Sequence, residues 1–263
     1  MAKNLSNEFK KSCAKISVIT ATHNSAATLQ GTLDSIARQS YERIEHIIID
    51  GASTDDTIAI VQKNRKRIAI FKSESDTGIY DALNKGIRLA SGEIIGFLHS
   101  DDFFASEDSV ADIASAFEDP SVCGVYGDLE YVRAGDTSKV IRRWKGKRFA
   151  KRDLYYGWMP AHPTLYIRKE WYLKIGGFDT SYRIAADYLS IVQLFSDPSF
   201  NTAYIPKVLV AMRTGGASNR SFKAILSKIF EDYQALQACG FSGIQASATL
   251  IQKNLRKLPQ LLP

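Results

Sequence analysis

Between Ile16 and Leu98 the chain alternates short β-branched runs with segments of helical spacing, and few folds accommodate that rhythm. Ile16-Ser17-Val18-Ile19-Thr20 is apolar, β-branched and bounded by polar residues, as a buried strand requires. Thr28 to Arg38 then carries Leu29, Leu33 and Ile36 at helical intervals. Ile47 to Ile49 reads as a second strand, and Thr57 to Gln62 as a short helix opened by Ser53, Asp55 or Asp56. Ile68 to Phe71, Ala82 to Ala90 and Ile94 to Leu98 continue as strand, helix and strand. The alternation predicts an α/β fold with a mostly parallel central sheet and helices on both faces. Ligands of such sheets gather outside the carboxyl ends of the strands. That rule sets Asp50, Asp76, Asp101 and Asp102 on one rim.

The second half is less regular. Cys123 to Val132 and Leu165 to Arg168 read as strands, Gly176-Gly177-Phe178-Asp179 as a turn, Ala185 to Phe195 as a helix and Tyr204 to Arg213 as a strand. After Gly215-Gly216 the pattern is helical, with Phe222, Ile225, Leu226, Ile229, Phe230, Tyr233 and Leu236 in one apolar stripe. A second amphipathic segment carries Leu250, Ile251, Leu255 and Leu258. The 263 residues suffice for one large domain with an appendage, and no internal repeat is seen.

Hydrophobic residues at 45% and charged residues at 24% describe a soluble globular chain. The net charge of +6 suits an anionic substrate or membrane surface, and no charge run is dense enough to demand nucleic acid. Cys13, Cys123 and Cys239 are odd in number and scattered, so a reducing cytosol is the expected home. Met1 to Lys15 is polar and lacks a signal-peptide core, and no stretch is long and apolar enough to span a bilayer. A soluble or peripheral protein is expected.

Thr20-Ala21-Thr22-His23-Asn24 follows the first strand where a dinucleotide fold needs GxGxxG, and no Walker A pattern is present. Asp101 and Asp102 end an apolar strand side by side. Two crowded carboxylates call for a cation, and Mg²⁺ or Mn²⁺ bridging carboxylates to a diphosphate is one answer. A helix N-cap is the other. Asp50 ends the second strand, where it could accept from a base or a ribose, whereas Asp55 and Asp56 read as caps. Asp81, Asn84, Lys85 and Arg88 share neighbouring faces of a helix. Asn84 and Lys85 either meet the ligand, or Asn84 braces a loop.

Four of these segments occur in order: the first strand with His23-Asn24, Asp50-Gly51-Ala52-Ser53-Thr54-Asp55, Gly78-Ile79-Tyr80-Asp81-Ala82-Leu83-Asn84-Lys85-Gly86, and Ser100-Asp101-Asp102. Together they resemble family 2 glycosyltransferases of the GT-A fold, of the bacterial polysaccharide-assembly type, over Lys15 to Ser218. The resemblance implies a nucleoside diphosphate sugar donor, contacted by Thr20, Thr22, Asn24, Asp50, Asp76, Asn84, Lys85, Asp101 and Arg213. It implies a Mg²⁺ or Mn²⁺ ion on Asp102 with Asp101 beside it, Asp102 being the expected ligand and Asp101 lying nearer the sugar or ribose. His99 stands where the family often has Asn, and His23 where some relatives stack an aromatic on the base.

An inverting transfer needs one carboxylate to take the acceptor proton, and Asp187, in Ile184-Ala185-Ala186-Asp187-Tyr188, resembles the family's catalytic aspartate. His162 is either structural or touches metal, acceptor or diphosphate. Arg213-Thr214-Gly215-Gly216-Ala217-Ser218 reads as a loop able to close on the diphosphate, with Ser218 a possible contact, or as a turn anchored by Arg213. The expected acceptor is a glycan or lipid-linked hydroxyl. The expected layout is a polar tail over 1–14, a catalytic domain over 15–218 with donor half 15–104 and acceptor half 105–218, and a helical extension over 219–263. In that extension Arg220, Lys223, Lys228, Lys253, Arg256 and Lys257 outnumber Glu231 and Asp232. It could lie on the inner face of the plasma membrane, on the catalytic domain or on a second subunit. A sugar-nucleotide nucleotidyltransferase is the rival enzyme, although its glycine-rich loop is missing. A non-catalytic sugar-nucleotide-binding component of a glycan assembly complex is the other alternative.

Overall fold

The computed structural model describes residues 14–214 and 222–255. Four parallel strands form one side of the sheet: β1 (Ile16–Thr22), β2 (Ile44–Asp50), β3 (Ile70–Ser73) and β4 (Ile94–Phe97). They are joined by α1 (Leu29–Ala37), α2 (Thr57–Lys63) and α3 (Ile79–Leu89). Ile16, Val18, Ile19 and Ile47 to Ile49 are fully buried, which is why these runs carry no polar alternation. Thr22 pairs with Asp50 and Asp50 with Ser73, so the carboxyl ends of three strands finish in line.

The second half adds β5 (Asp102–Phe104), α4 (Ser109–Ala116), β6 (Gly124–Arg133), β7 (Asp136–Trp144), β8 (Tyr166–Arg168), α5 (Lys169–Lys174), α6 (Ala186–Ser196), β9 (Thr202–Arg213), α7 (Phe222–Ala238) and α8 (Gly243–Leu255). Among the described residues the sheet runs β3-β2-β1-β4-β8-β6-β9-β5, with β7 paired to β6 off that path. β8 is antiparallel to both β4 and β6, and β5 to β9, so the sheet is mixed where the sequence predicted a mostly parallel one. β5 and β7 escape a sequence reading for physical reasons. The first is three residues long, and the second lays Lys139, Val140, Ile141 and Arg143 in solvent with no buried alternate face.

α7 and α8 send Ala235, Leu236, Ala246 and Leu250 into the same core as Ile19, Leu83 and Phe195. At the amino end of the sheet Glu45 is almost fully buried and accepts from Lys15 Nζ (2.7 Å), Ser17 Oγ (2.6 Å) and the Ser91 amide (2.7 Å). Burial alone would raise its pKa, but these donors outweigh it and bring the carboxyl down to about 2. Gly96 in β4 faces Tyr166 so closely that an added Cβ would lie 2.0 Å from the ring.

Candidate active site

The ends of β1 and β2 hold the expected donor residues, and most of them turn out to be occupied. Thr20 is fully buried with its hydroxyl 3.0 Å from His46 Nε2, inside the sheet and closed to a donor. Asp50 is also fully buried. Its carboxylate accepts from Thr22 Oγ1 (2.9 Å), the Ser53 amide (2.9 Å), Ser53 Oγ and Ser73 Oγ (2.7 Å). Four donors fill a carboxylate, so Asp50 and Thr22 lace three strand ends together and leave no lone pair for a base or ribose. Burial raises the Asp50 pKa, and the hydrogen bonds reverse this and hold it below the ordinary value.

Asn24 adopts a left-handed backbone (φ 49°) and its Oδ1 accepts the Thr54 amide at 2.8 Å, bracing one loop on another. Asn84 spends its side chain on Phe178, donating to the carbonyl and accepting from the amide at 2.8 Å each. The loop-brace alternative for Asn84 is the one realised. Lys85 lies 3.1 Å from both Glu74 and Asp81, so its charge is neutralised within the protein. The open rim is made instead by His23, Gly51 and Asp76. His23 is exposed with Nδ1 2.9 Å from the Gly51 carbonyl. A Cβ on Gly51 would meet Asp76 Oδ2 at 2.5 Å, so the glycine lets that carboxylate lie against the strand end.

Asp101 and Asp102 part company. Asp102 is fully buried in β5, and neither carboxylate oxygen has a hydrogen-bond partner. Burial, then the charge of Asp101, push its pKa well above the carboxylate range, only partly offset by Arg213. A buried carboxylate with both oxygens unpartnered beside a second carboxylate is suited to a cation, the role expected of Asp102. Asp101, next to it, is half-buried. Arg213 donates to the Asp101 carbonyl at 2.7 Å and lies over the Phe103 ring, anchoring this turn. Ser218, at the far end of the same loop, lies outside the described residues.

His99 and His162 face each other with ring centroids 6.3 Å apart, and His99 Nδ1 and His162 Nε2 are buried without partners. Burial drives both pKa values down, against the charges of Asp101 and Asp187 at His99, and that of His162 falls to about 4, so the His162 imidazole is neutral near pH 7. Among the described residues no three His, Cys, Asp or Glu side chains converge as a metal centre. Two adjacent carboxylates, one with both oxygens unpartnered, fit a cation that takes its remaining ligands from substrate phosphates.

Asp187 completes the cluster. It is half-buried in the first turn of α6, where the helix N-terminus favours an anion. Tyr80 Oη donates to the Ile184 carbonyl (2.7 Å) and lies 3.1 Å from Asp187 Oδ1. Burial raises the Asp187 pKa, but His162, Lys228, Lys253 and the Tyr188 amide overcome that and hold it below the ordinary value. With His162 neutral, the lysines of α7 and α8 are the standing charges. His99 feels both Asp101 and Asp187, which brings the ends of β4 and α6 to one cleft. Sequence reasoning missed Tyr80, Lys228 and Glu231. Tyr80 lies inside the Gly78–Gly86 run already singled out, whereas the α7 residues sit in an ordinary amphipathic stripe with no local signal.

Known proteins share this fold. The family profile described as "Glycosyl transferase family 2" matches residues 17–184. A PGL/p-HBAD biosynthesis glycosyltransferase of Mycobacterium tuberculosis is 34% identical over 209 residues, covering 77% of this chain and 78% of its own length. An uncharacterized glycosyltransferase of Haemophilus influenzae is 27% identical over 70% of this chain and 63% of its own. Among solved structures, S. aureus TarS 1-349 in complex with UDP-GlcNAc superposes with a TM-score of 0.70 at 17% identity, over 93% of this chain and 73% of that one. The mannosyltransferase PcManGT from Pyrobaculum calidifontis, in complex with GDP-Man and Mn²⁺, gives 0.67 at 22% identity over 94% and 73%. With the family profile spanning most of the catalytic region and these structures sharing the architecture, the chain belongs to glycosyl transferase family 2 and has the GT-A fold.

Proposed function

We propose that the protein moves a sugar from a nucleoside diphosphate sugar to an acceptor hydroxyl with inversion at the anomeric carbon, in the assembly of a cell-surface polysaccharide or lipid-linked glycan. One observation carries the reading: a half-buried Asp187, held below the ordinary carboxylate pKa, lies 3.1 Å from the Tyr80 hydroxyl and within electrostatic reach of His99 and His162. The acceptor oxygen attacks the anomeric carbon, its proton passes to Asp187, and the bond to the diphosphate breaks with the electron pair leaving on phosphate. Asp102, with Asp101 beside it, would hold a Mg²⁺ or Mn²⁺ ion, which would supply charge stabilisation to the leaving group. His23 and Asp76 border the place for the nucleoside, with His23 exposed for stacking.

The donor class is supported by the relatives bound to UDP-GlcNAc and GDP-Man, and the cation by the Mn²⁺ complex. The organisation proposed is a donor half over 15–104, an acceptor half over 105–218 and the helical region over 219–263. Peripheral contact with the inner membrane face is supported by Ile244, Ile251 and Leu255, which leave α8 on the side opposite its buried Ala246 and Lys253. No described helix is long and apolar enough to cross a membrane.

The test is a thermal-shift panel of nucleoside diphosphate sugars with Mn²⁺, Mg²⁺ or chelator, followed by NMR of the anomeric product. One donor should raise the melting temperature only with cation, and its anomeric configuration should invert. Retention of configuration, or a shift from nucleoside triphosphates alone, would refute the reading.

A further inference from the structure

We propose that Glu231, on α7, is a positioning residue for the Asp187 carboxylate, so that the C-terminal helices belong to the active site. The proposal rests on the reading of Asp187 as the base. α6 begins without a cap of its own, because Ala185 at its N-cap has no side-chain acceptor. Glu231 holds the entry to the helix instead, from 46 residues away in sequence from Ala185. Its Oε2 accepts the amides of Ile184 and Ala185, both at 2.8 Å, and its Oε1 that of Arg183 at 3.2 Å. On the other side of the same peptide Tyr80 donates to the Ile184 carbonyl at 2.7 Å. Ile184 is therefore gripped through both its N–H and its C=O, three residues before Asp187.

The grip is itself anchored. Asp232, next to Glu231, is buried and paired at 2.8 Å with the buried Lys253 of α8. The Lys253 ammonium lies 3.1 Å from the ring centroid of Tyr188, the residue after Asp187. Sliding α7 along α6 would break either this pair, stranding two buried charges, or the Lys253 contact to Tyr188, so the position of Glu231 is fixed. Three charge-assisted bonds onto consecutive amides hold the entry to α6 more firmly than water would. Loosening that entry would displace the carboxylate that must meet the acceptor proton.

The experiment compares Glu231→Ala and Glu231→Gln with wild type, using the donor selected by the thermal-shift panel with Mn²⁺ and following nucleoside diphosphate release. For Glu231→Ala, kcat per folded molecule should fall about 10–100-fold, as for a misplacement near 1 Å, with donor KM moved less than about threefold. Glu231→Gln, which keeps one acceptor oxygen, should fall between. In an Asp187→Asn background Glu231→Ala should cost little more, because it acts through Asp187. A lowered melting temperature with wild-type kcat, or an equal loss in both backgrounds, would overturn the proposal. Inactive Asp187→Asn beside fully active Glu231→Ala sinks the positioning role alone, whereas active Asp187→Asn sinks the base reading. Should Glu231→Ala fail to fold, Glu231→Gln carries the same comparison.

Discussion

At the scale of single residues, the site separates groups by what the protein already does with them. Asp50, Asn24, Asn84 and Lys85 stand in motifs that a sequence reader assigns to the ligand, yet each is consumed by protein partners. Their motifs were legible; their partners were not, because Ser73, Thr54, Phe178 and Glu74 meet them only through the fold. Asp187 and His162 were both singled out from sequence, and the structure brings them within electrostatic reach of each other. Tyr80 is the residue whose removal reads most cleanly. Tyr80→Phe removes the one hydroxyl hydrogen for which the Ile184 carbonyl and Asp187 Oδ1 compete, without opening a cavity. It should lower kcat about 5–50-fold while leaving donor KM nearly unchanged, since it orients a group used only in the transition state. Steady-state kinetics would show this, and a rise in KM at constant kcat would place Tyr80 in donor binding instead.

At the scale of elements, the parallel half was legible because its strands are continuous apolar runs, while β5 and β7 offered neither length nor a buried face. The far end of the sheet makes a pH prediction. The Glu45 carboxyl sits at about 2 in the folded protein against an ordinary 4.5, so its stabilisation is complete above pH 4.5 and is lost as pH falls toward 2. Glu45→Gln should therefore lower stability at pH 7 by about 1–3 kcal/mol, discounted for the partly exposed Lys15, and should flatten the acid limb below pH 4.5. Urea melts across pH would show it; an acid limb as steep as wild type would count against the network. Packing gives a second prediction. Gly96→Ala drives a Cβ into the fully buried Tyr166 ring and should cost about 1–3 kcal/mol or more in denaturant melts, whereas a neutral result would mean the two strands can part.

At the scale of the whole molecule, the C-terminal helices face two ways. Inward, Glu231, Asp232 and Lys253 fix α6; outward, Ile244, Ile251 and Leu255 lie open beside a 3₁₀ turn bearing exposed Tyr155 and Tyr156. Tyr155 is tied to α8 through Thr249 (3.1 Å), and exposed Lys145, Arg148, Lys151 and Arg152 lead into the turn. An apolar stripe beside aromatic and basic side chains predicts binding to anionic but not zwitterionic vesicles, weakened by salt and by Ile251→Ser. Flotation assays would read this; equal binding to both vesicles would contradict the charge selectivity, and no binding would leave the stripe without a lipid role. The amphipathic pattern was visible in the sequence, but which side each face took was set by the packing of α7 and α8 against α6. The central claim remains that a metal-held donor meets a base at Asp187. Turnover of Asp187→Asn, measured beside its Mn²⁺-dependent affinity for the selected donor, tests it most directly. Turnover should fall about a thousandfold or more while affinity stays within about twofold; wild-type turnover, or donor binding lost along with activity, would contradict it.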